Sequence, residues 1–154
     1  MLRAATLADL PAVQRLYGTL HPDEPPVAPA EARGILQRII DAPGTDVLVL
    51  EHEGVAVATA CLVVVPNLSR GGRPWAVVEN VAVDATVQRR GHGRRLVGDA
   101  LQRAWDAGCY KVMLQTAATG EDVHAFYRAC GLTSRTKTAF TAYAPGFSVV
   151  GAAL

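Results

Sequence analysis

Cysteine is scarce. The three present, Cys61, Cys109 and Cys130, are odd in number and lack C-x-x-C spacing. That excludes a disulfide framework and a cysteine zinc site, and predicts buried free thiols. Aromatic residues make up only 6% of the 154, and none form a ladder interleaved with basic residues. Neither sign of charge dominates, since the formal net charge is +1. One local basic cluster on a near-neutral chain gives little general phosphate affinity, so nucleic acid is not an expected partner. Half of the residues are hydrophobic, yet no apolar run approaches the length that spans a bilayer. No charged n-region leads into a signal-like apolar stretch, so we expect a cytosolic protein without a membrane partner. Internal repeats and low-complexity linkers are missing too. The length then predicts one domain over residues 1–154, large enough for a full core.

Two phosphate-binding signatures are also missing. There is no G-x-x-x-x-G-K-[ST] loop. Gly91-His92-Gly93 is followed by Leu96 rather than by the glycine of G-x-G-x-x-G. What is present is organised around residues 77–107. Val77–Asp84 is a β-branched apolar run of strand length that carries Glu79. Gln88-Arg89-Arg90-Gly91-His92-Gly93-Arg94-Arg95 follows as a glycine-containing loop. Leu96, Val97, Ala100, Leu101, Ala104 and Trp105 then have the spacing of a one-sided helix, with Gly108 at its C-terminal cap.

Strand, glycine turn and helix together make an anion site. The first N–H groups of a helix lack intrahelical partners, and the macrodipole adds positive potential there. Gly91 and Gly93 permit positive φ and close backbone approach, and the arginines add charge-assisted hydrogen bonds. A pyrophosphate is the natural guest. Each residue also has a plainer reading. The arginines suit a solvated turn, and Glu79 suits the exposed face of a strand. Tyr127 shares a helix face with Val123, Phe126 and Cys130, which is the spacing of a core residue.

Along the chain, Leu2–Ala5 is a candidate first strand. Thr6 with Asp9 has capping-box spacing, and Leu7, Leu10, Val13, Leu16, Tyr17 and Leu20 define a helical face. Pro11 either sits within the first turn or moves the helix start later. His21–Pro29 carries four prolines in nine residues and is a loop. Ala30–Asp41 is a second helix, with Ile35, Leu36, Ile39 and Ile40 on one face. Asp46–Glu51 and Val55–Val65 are strands joined by a tight turn at Glu53-Gly54. Pro66–Arg73 is a polar loop, whose Arg70 and Arg73 are either solvated or available to an anionic substrate. Tyr110–Leu114 is a further strand. Thr119 with Asp122 is a second candidate capping box, ahead of the helix that Gly131 closes. Lys137–Tyr143 reads as a last strand. The tail Phe147–Leu154 is small and apolar, and either packs on a partner subunit or frays.

The pattern Q-x-x-G-x-G at Gln88–Gly93, after a strand carrying a glutamate, resembles the acetyl-CoA loop of the GNAT acyltransferase superfamily. Phe126-Tyr127-Arg128-Ala129-Cys130-Gly131-Leu132 is similar to that superfamily's F-Y-x-x-x-G-F helix end. With the N-terminal helices the resemblance covers nearly the whole chain. It implies an α+β (mixed α/β) fold of the GNAT type: a central, mostly antiparallel mixed sheet flanked by helices, with two splayed parallel strands. It also implies acetyl transfer from acetyl-CoA to a primary amine of a small molecule, without a metal. The implied catalytic residues are Glu79 as general base and Tyr127 as general acid. A backbone N–H near Val81 would face the developing oxyanion. Val81, Ala82, Val83, Gln88, Arg89, Arg90, Gly91, His92, Gly93 and Arg94 would hold acetyl-CoA. The early helices and the proline-rich loop between them would line the acceptor site.

Glu79–Asp84 with Gly108-Cys109-Tyr110-Lys111-Val112 more closely resembles the glucosamine-6-phosphate N-acetyltransferase family, which reads E-D-[IV]-V-V-D and G-C-Y-K-[IV]. That resemblance, with the apolar tail, implies a homodimer. Asn80 departs from it by replacing an aspartate. Gly120 stands where many GNAT proteins have asparagine, and the His21–Pro29 loop has no counterpart. Two other classes remain open: a protein N-acetyltransferase and a non-catalytic acyl-CoA-binding domain.

Overall fold

The computed structural model describes residues 1–136 and 138–145. Its strands are β1 Leu2–Ala4, β2 Thr45–His52, β3 Val55–Val65, β4 Trp75–Val83 and β5 Val112–Leu114. They form one sheet in the spatial order β1-β2-β3-β4-β5. Neighbours from β1 to β4 run antiparallel, and β4 with β5 runs parallel. The α-helices among the described residues are α1 Leu10–Tyr17, α2 Pro29–Asp41, α3 His92–Asp106 and α4 Glu121–Ala129. This is the mixed sheet flanked by helices that the sequence implies.

Strand periodicity builds two cores on opposite faces of the sheet. Along β2, Leu48 and Leu50 point to one face, where they join Leu62, Val78, Leu96, Ala100 and Ala104. Val47 and Val49 point to the other and meet Val13 and Leu36 of α1 and α2. Burial of both faces explains why β2 is apolar without a polar alternate. Trp105, which shares the apolar spacing of α3, is 44% exposed at the end of that face.

The Thr6–Asp9 pair closes the first turn as its spacing predicts. The Asp9 carboxylate accepts the Thr6 N–H at 2.7 Å and its hydroxyl at 3.0 Å. Its main partner is one that spacing alone does not reveal. Both terminal nitrogens of Arg3 donate to Asp9 at 2.7 Å, and Arg3 also reaches Glu51 at 2.5 Å. The ion network ties β1 to β2 and to the start of the first helix. A 3-10 turn over Leu7–Asp9 precedes α1, so Pro11 falls within the first turn, where its missing N–H costs nothing.

Two irregularities of β4 shape the site. Thr59 pairs with Ala82 and Cys61 with Glu79, so Asn80 and Val81 together oppose Ala60. That is a β-bulge, and Asn80 takes φ 53° within it. On the other side, the parallel ladder joins Ala76–Val78 to Val112–Leu114 and ends there. Beyond Val78, β4 runs on through Glu79–Val83 paired with β3 alone.

Three expectations are corrected. Residues 138–143 form no strand, and Lys137 lies outside the described residues. Strand propensity makes no strand unless a sheet edge is in reach. The tail 147–154 also lies outside the described residues. Thr119 and Asp122 do not cap α4; Gly120 holds the N-cap position, with no side-chain cap bond. Finally, Cys109 is buried as expected, whereas Cys61 and Cys130 are half-buried.

Candidate active site

The proposed anion loop leaves β4 at Asp84. Asp84 accepts the Thr86 hydroxyl at 2.7 Å and the Thr86 N–H at 3.0 Å, which nucleates a short 3-10 turn over Ala85–Val87. The Gln88 side-chain amide then donates back to the Val83 carbonyl at 3.3 Å, fastening the loop to the strand end. Arg89, Arg90 and Arg94 are exposed. Arg95 pairs along the helix with Asp99 at 3.6 Å. His92 stacks obliquely on His52 from the β2–β3 hairpin, with ring centroids 4.8 Å apart.

Gly91 is the N-cap of α3, at φ 86°, and no side chain caps this helix end. Its N–H groups stay available to an anion. Gly93 serves a different purpose from the one its spacing suggests. It lies inside α3, where a Cβ would meet Phe126 Cζ and Val83 Cγ2, each at 3.3 Å. The missing side chain therefore lets α4 and β4 close on the start of α3.

Glu79 is exposed, one residue before the bulge. Val81 and Val83 are half-buried, and Ala82 is buried. Tyr127 is half-buried on α4, its ring edge-on to Phe126 at 5.0 Å. Burial raises the Tyr127 phenol, with added influence from Cys130 and Glu79. The Glu79 charge is therefore felt at Tyr127. It is also felt at Cys61, whose thiol burial pushes up first and Glu79 second. Arg94 opposes the upward push of burial on Cys130. The structure thus brings Glu79, beside the bulge, near Tyr127, and Arg94 near Cys130 at the end of the same helix.

Arg70 and Arg73 lie elsewhere. Arg73 donates to the carbonyls of Gly108 and Cys109, at 3.4 and 3.2 Å, and so serves the end of α3. Arg70 sits 6.0 Å over the Tyr110 ring.

Two features were not singled out from spacing. Tyr17 looks like one more apolar-face residue of α1, yet the polar side chains of Thr59 and Asn80 are near enough to oppose the effect of its burial. Burial pushes its phenol up to about 12. Arg15 of α1 forms an ion pair with Asp84 and donates to the Ala56 carbonyl at 2.8 Å. Above this contact, α1 and the proline-rich loop enclose a cavity of about 640 Å³ that reaches Tyr17 and Asn80. An open strand edge that leads on to an uncapped helix start, with a cavity at its bulge, suits a phosphate-bearing extended ligand on one side. A small acceptor fits on the other.

Comparison with known proteins agrees with this geometry. The profile of the Acetyltransferase (GNAT) family matches residues 10–132. A rice protein (Oryza sativa subsp. japonica) named probable glucosamine 6-phosphate N-acetyltransferase 2 is 39% identical over 83 residues. The match covers 54% of this chain and 48% of the relative, so the chain spans about half the length of that protein. The glucosamine 6-phosphate N-acetyltransferase of Trypanosoma brucei brucei is 32% identical over 117 residues, 75% of this chain and 79% of the relative. A solved structure from Agrobacterium tumefaciens str. C58, named only as an acetyltransferase, superposes with a TM-score of 0.89 at 41% identity. It covers 94% of this chain and 99% of its own.

Proposed function

Because the chain belongs to the acetyltransferase (GNAT) family, we propose that it transfers an acetyl group from acetyl-CoA directly to a primary amine of a small molecule. The single observation that carries this reading is the coincidence of two features at one place. The β4–β5 ladder ends at Val78 and Leu114, and the strand that continues alone carries Glu79, the bulge and then the uncapped loop.

When bound, acetyl-CoA supplies an acyl group activated as a thioester. The first-turn N–H groups after Gly91, with Arg89, Arg90 and Arg94, hold its phosphates. Val81, Ala82 and Val83 offer backbone groups to its extended arm, as an added strand would. Gln88 acts indirectly, through its bond to Val83. Glu79 takes the amine proton, directly or through water, since a protonated amine has no lone pair to attack with. A backbone N–H at the Asn80–Val81 bulge faces the charge that develops on oxygen. Tyr127 Oη gives its proton to the departing sulfur; burial keeps that proton on the phenol until it is needed.

The names of the rice and trypanosome relatives place glucosamine 6-phosphate among the acceptors to try. A polypeptide amine is the other acceptor class, and acyl-CoA binding without turnover is the non-catalytic alternative. We further propose a homodimer. Phe140 is 92% exposed and α4 has no buried residue, so a second copy has apolar surface to cover. Thiol release from acetyl-CoA, measured over a panel of amino acids, polyamines, aminosugars and peptides, tests the activity. Release with a small amine supports it; release with peptides alone, or with none, contradicts it.

A further inference from the structure

We propose that the acceptor is a hydroxyl-rich amine without a phosphate group, a free amino sugar being the simplest case. This rests on the acetyl-transfer reading above and narrows its substrate class. The cavity of about 640 Å³ beside the bulge is lined by Gln14, Arg15, Tyr17, His21, Glu24 and Asn80, among others. Its volume suits a ligand of sugar size. A phosphomonoester brings close to two negative charges and needs fixed cations or several aimed donors.

Arg15 is the single guanidinium among the described lining residues, and it is already engaged. One nitrogen is paired to the Asp84 carboxylate, and another donates to the Ala56 carbonyl at 2.8 Å. Asp84 in turn holds Thr86 at the entry to the loop, so turning Arg15 toward a phosphate would strip the support from that turn. Glu24 adds a carboxylate that repels an anion, with His21 Nδ1 4.0 Å from it.

The other polar groups are neutral. Gln14 donates its amide to the Val27 carbonyl at 2.7 Å, which pins the proline-rich loop and leaves its oxygen as an acceptor. Tyr17 and Asn80 both line the cavity and add a neutral hydroxyl and a neutral amide. Neutral donors and acceptors beside one carboxylate match hydroxyl and amine groups. Asn80, standing where the aminosugar-phosphate family has aspartate, completes that neutral floor.

The test compares kcat/KM by thiol release with acetyl-CoA for glucosamine, galactosamine, 2-deoxystreptamine, spermidine and the two sugar 6-phosphates. We expect each free sugar to exceed its 6-phosphate by at least about tenfold, the scale of one unfavourable charge contact. Arg15→Gln should leave that ratio unchanged. Asp84→Asn, which frees Arg15, should shift the ratio toward the 6-phosphate. Preference for a 6-phosphate in the parent protein overturns the proposal. So does selective loss of 6-phosphate activity in Arg15→Gln, which needs no change in Asp84. Release with spermidine alone overturns it while leaving amine acetylation standing. Release with no acceptor sinks both.

Discussion

Gly93 packs its bare α-carbon against the Phe126 ring; an added Cβ would lie 3.3 Å from Phe126 Cζ and equally near Val83 Cγ2. Gly91, two residues earlier, has open space beside it but holds φ 86°. The two glycines of one motif therefore fail in different ways. Gly93→Val should lose about 1–3 kcal/mol of stability by overpacking. Gly91→Val should lose a similar 1–3 kcal/mol through backbone strain instead. Both should lower affinity for CoA. The parent should gain about 2.7 kcal/mol at a CoA concentration 100-fold over Kd. Thermal unfolding with and without CoA checks all three. A Gly91→Val protein that folds and keeps the full CoA shift would contradict the loop assignment.

Asp9 makes an acid-side prediction. Arg3 holds its carboxyl well below the usual range, against the opposing effect of burial and with help from Thr6. A carboxylate lowered on folding contributes stability that is complete above the unfolded value near 4, and that is lost as pH falls through the folded value. The Arg3 side chain is 34% exposed, so Asp9→Asn should cost only about 1–2 kcal/mol at neutral pH. Denaturant midpoints measured from pH 7 down to 2 should fall less steeply in the variant than in the parent. Parallel curves would show that Asp9 is not linked to folding in this way.

Asp9 also marks where the sequence is legible and where it is not. Its bond to Thr6 follows from local spacing, whereas the bridge that Arg3 makes from Asp9 on to Glu51 spans 48 residues and needs the sheet register. The same division holds at the site. β4 and α3 are recognised because strand length and helix period are local signals, but α3 begins at His92, so His92–Arg95 of the run read as loop is its first turn. The bulge at Asn80–Val81 is invisible locally, because it exists only as a count against β3. Tyr17 passes for a core residue because its partners Thr59 and Asn80 come from other elements. The residues over 138–143 read as a strand, but their composition says nothing of an available edge. Gly93 is picked out for the right spacing and the wrong neighbour.

As the proposed acid, Tyr127 is expected to set the alkaline limit of turnover. Burial lifts its phenol above the ordinary 10.0, with Cys130 and Glu79 pushing the same way. A raised value favours the protonated form, so the fall in kcat caused by its ionisation should lie at higher pH than for an ordinary tyrosine. Tyr127→Phe should remove this limb and lower kcat about 10²-fold or more, with little change in CoA affinity. Full turnover in a variant that melts well below the parent would make Tyr127 a packing residue.

The proposed association would cover exposed apolar surface. Phe140, at 92% exposure, and the half-covered face of α4 should be buried by a second copy. Sedimentation at micromolar concentration should give about twice the 16.3 kDa chain mass. A single monomeric species would exclude the dimer at that concentration.

Glu79 as the base is tested most directly by the pH dependence of kcat/KM for Glu79→Gln, with the amine that gives the fastest thiol release. Proton removal by Glu79 predicts a loss of about 10²–10³ at neutral pH. The loss should shrink at high pH, where more of the amine is already free. An unchanged kcat/KM at neutral pH would contradict it, because the proton would then leave to another group or to bulk water.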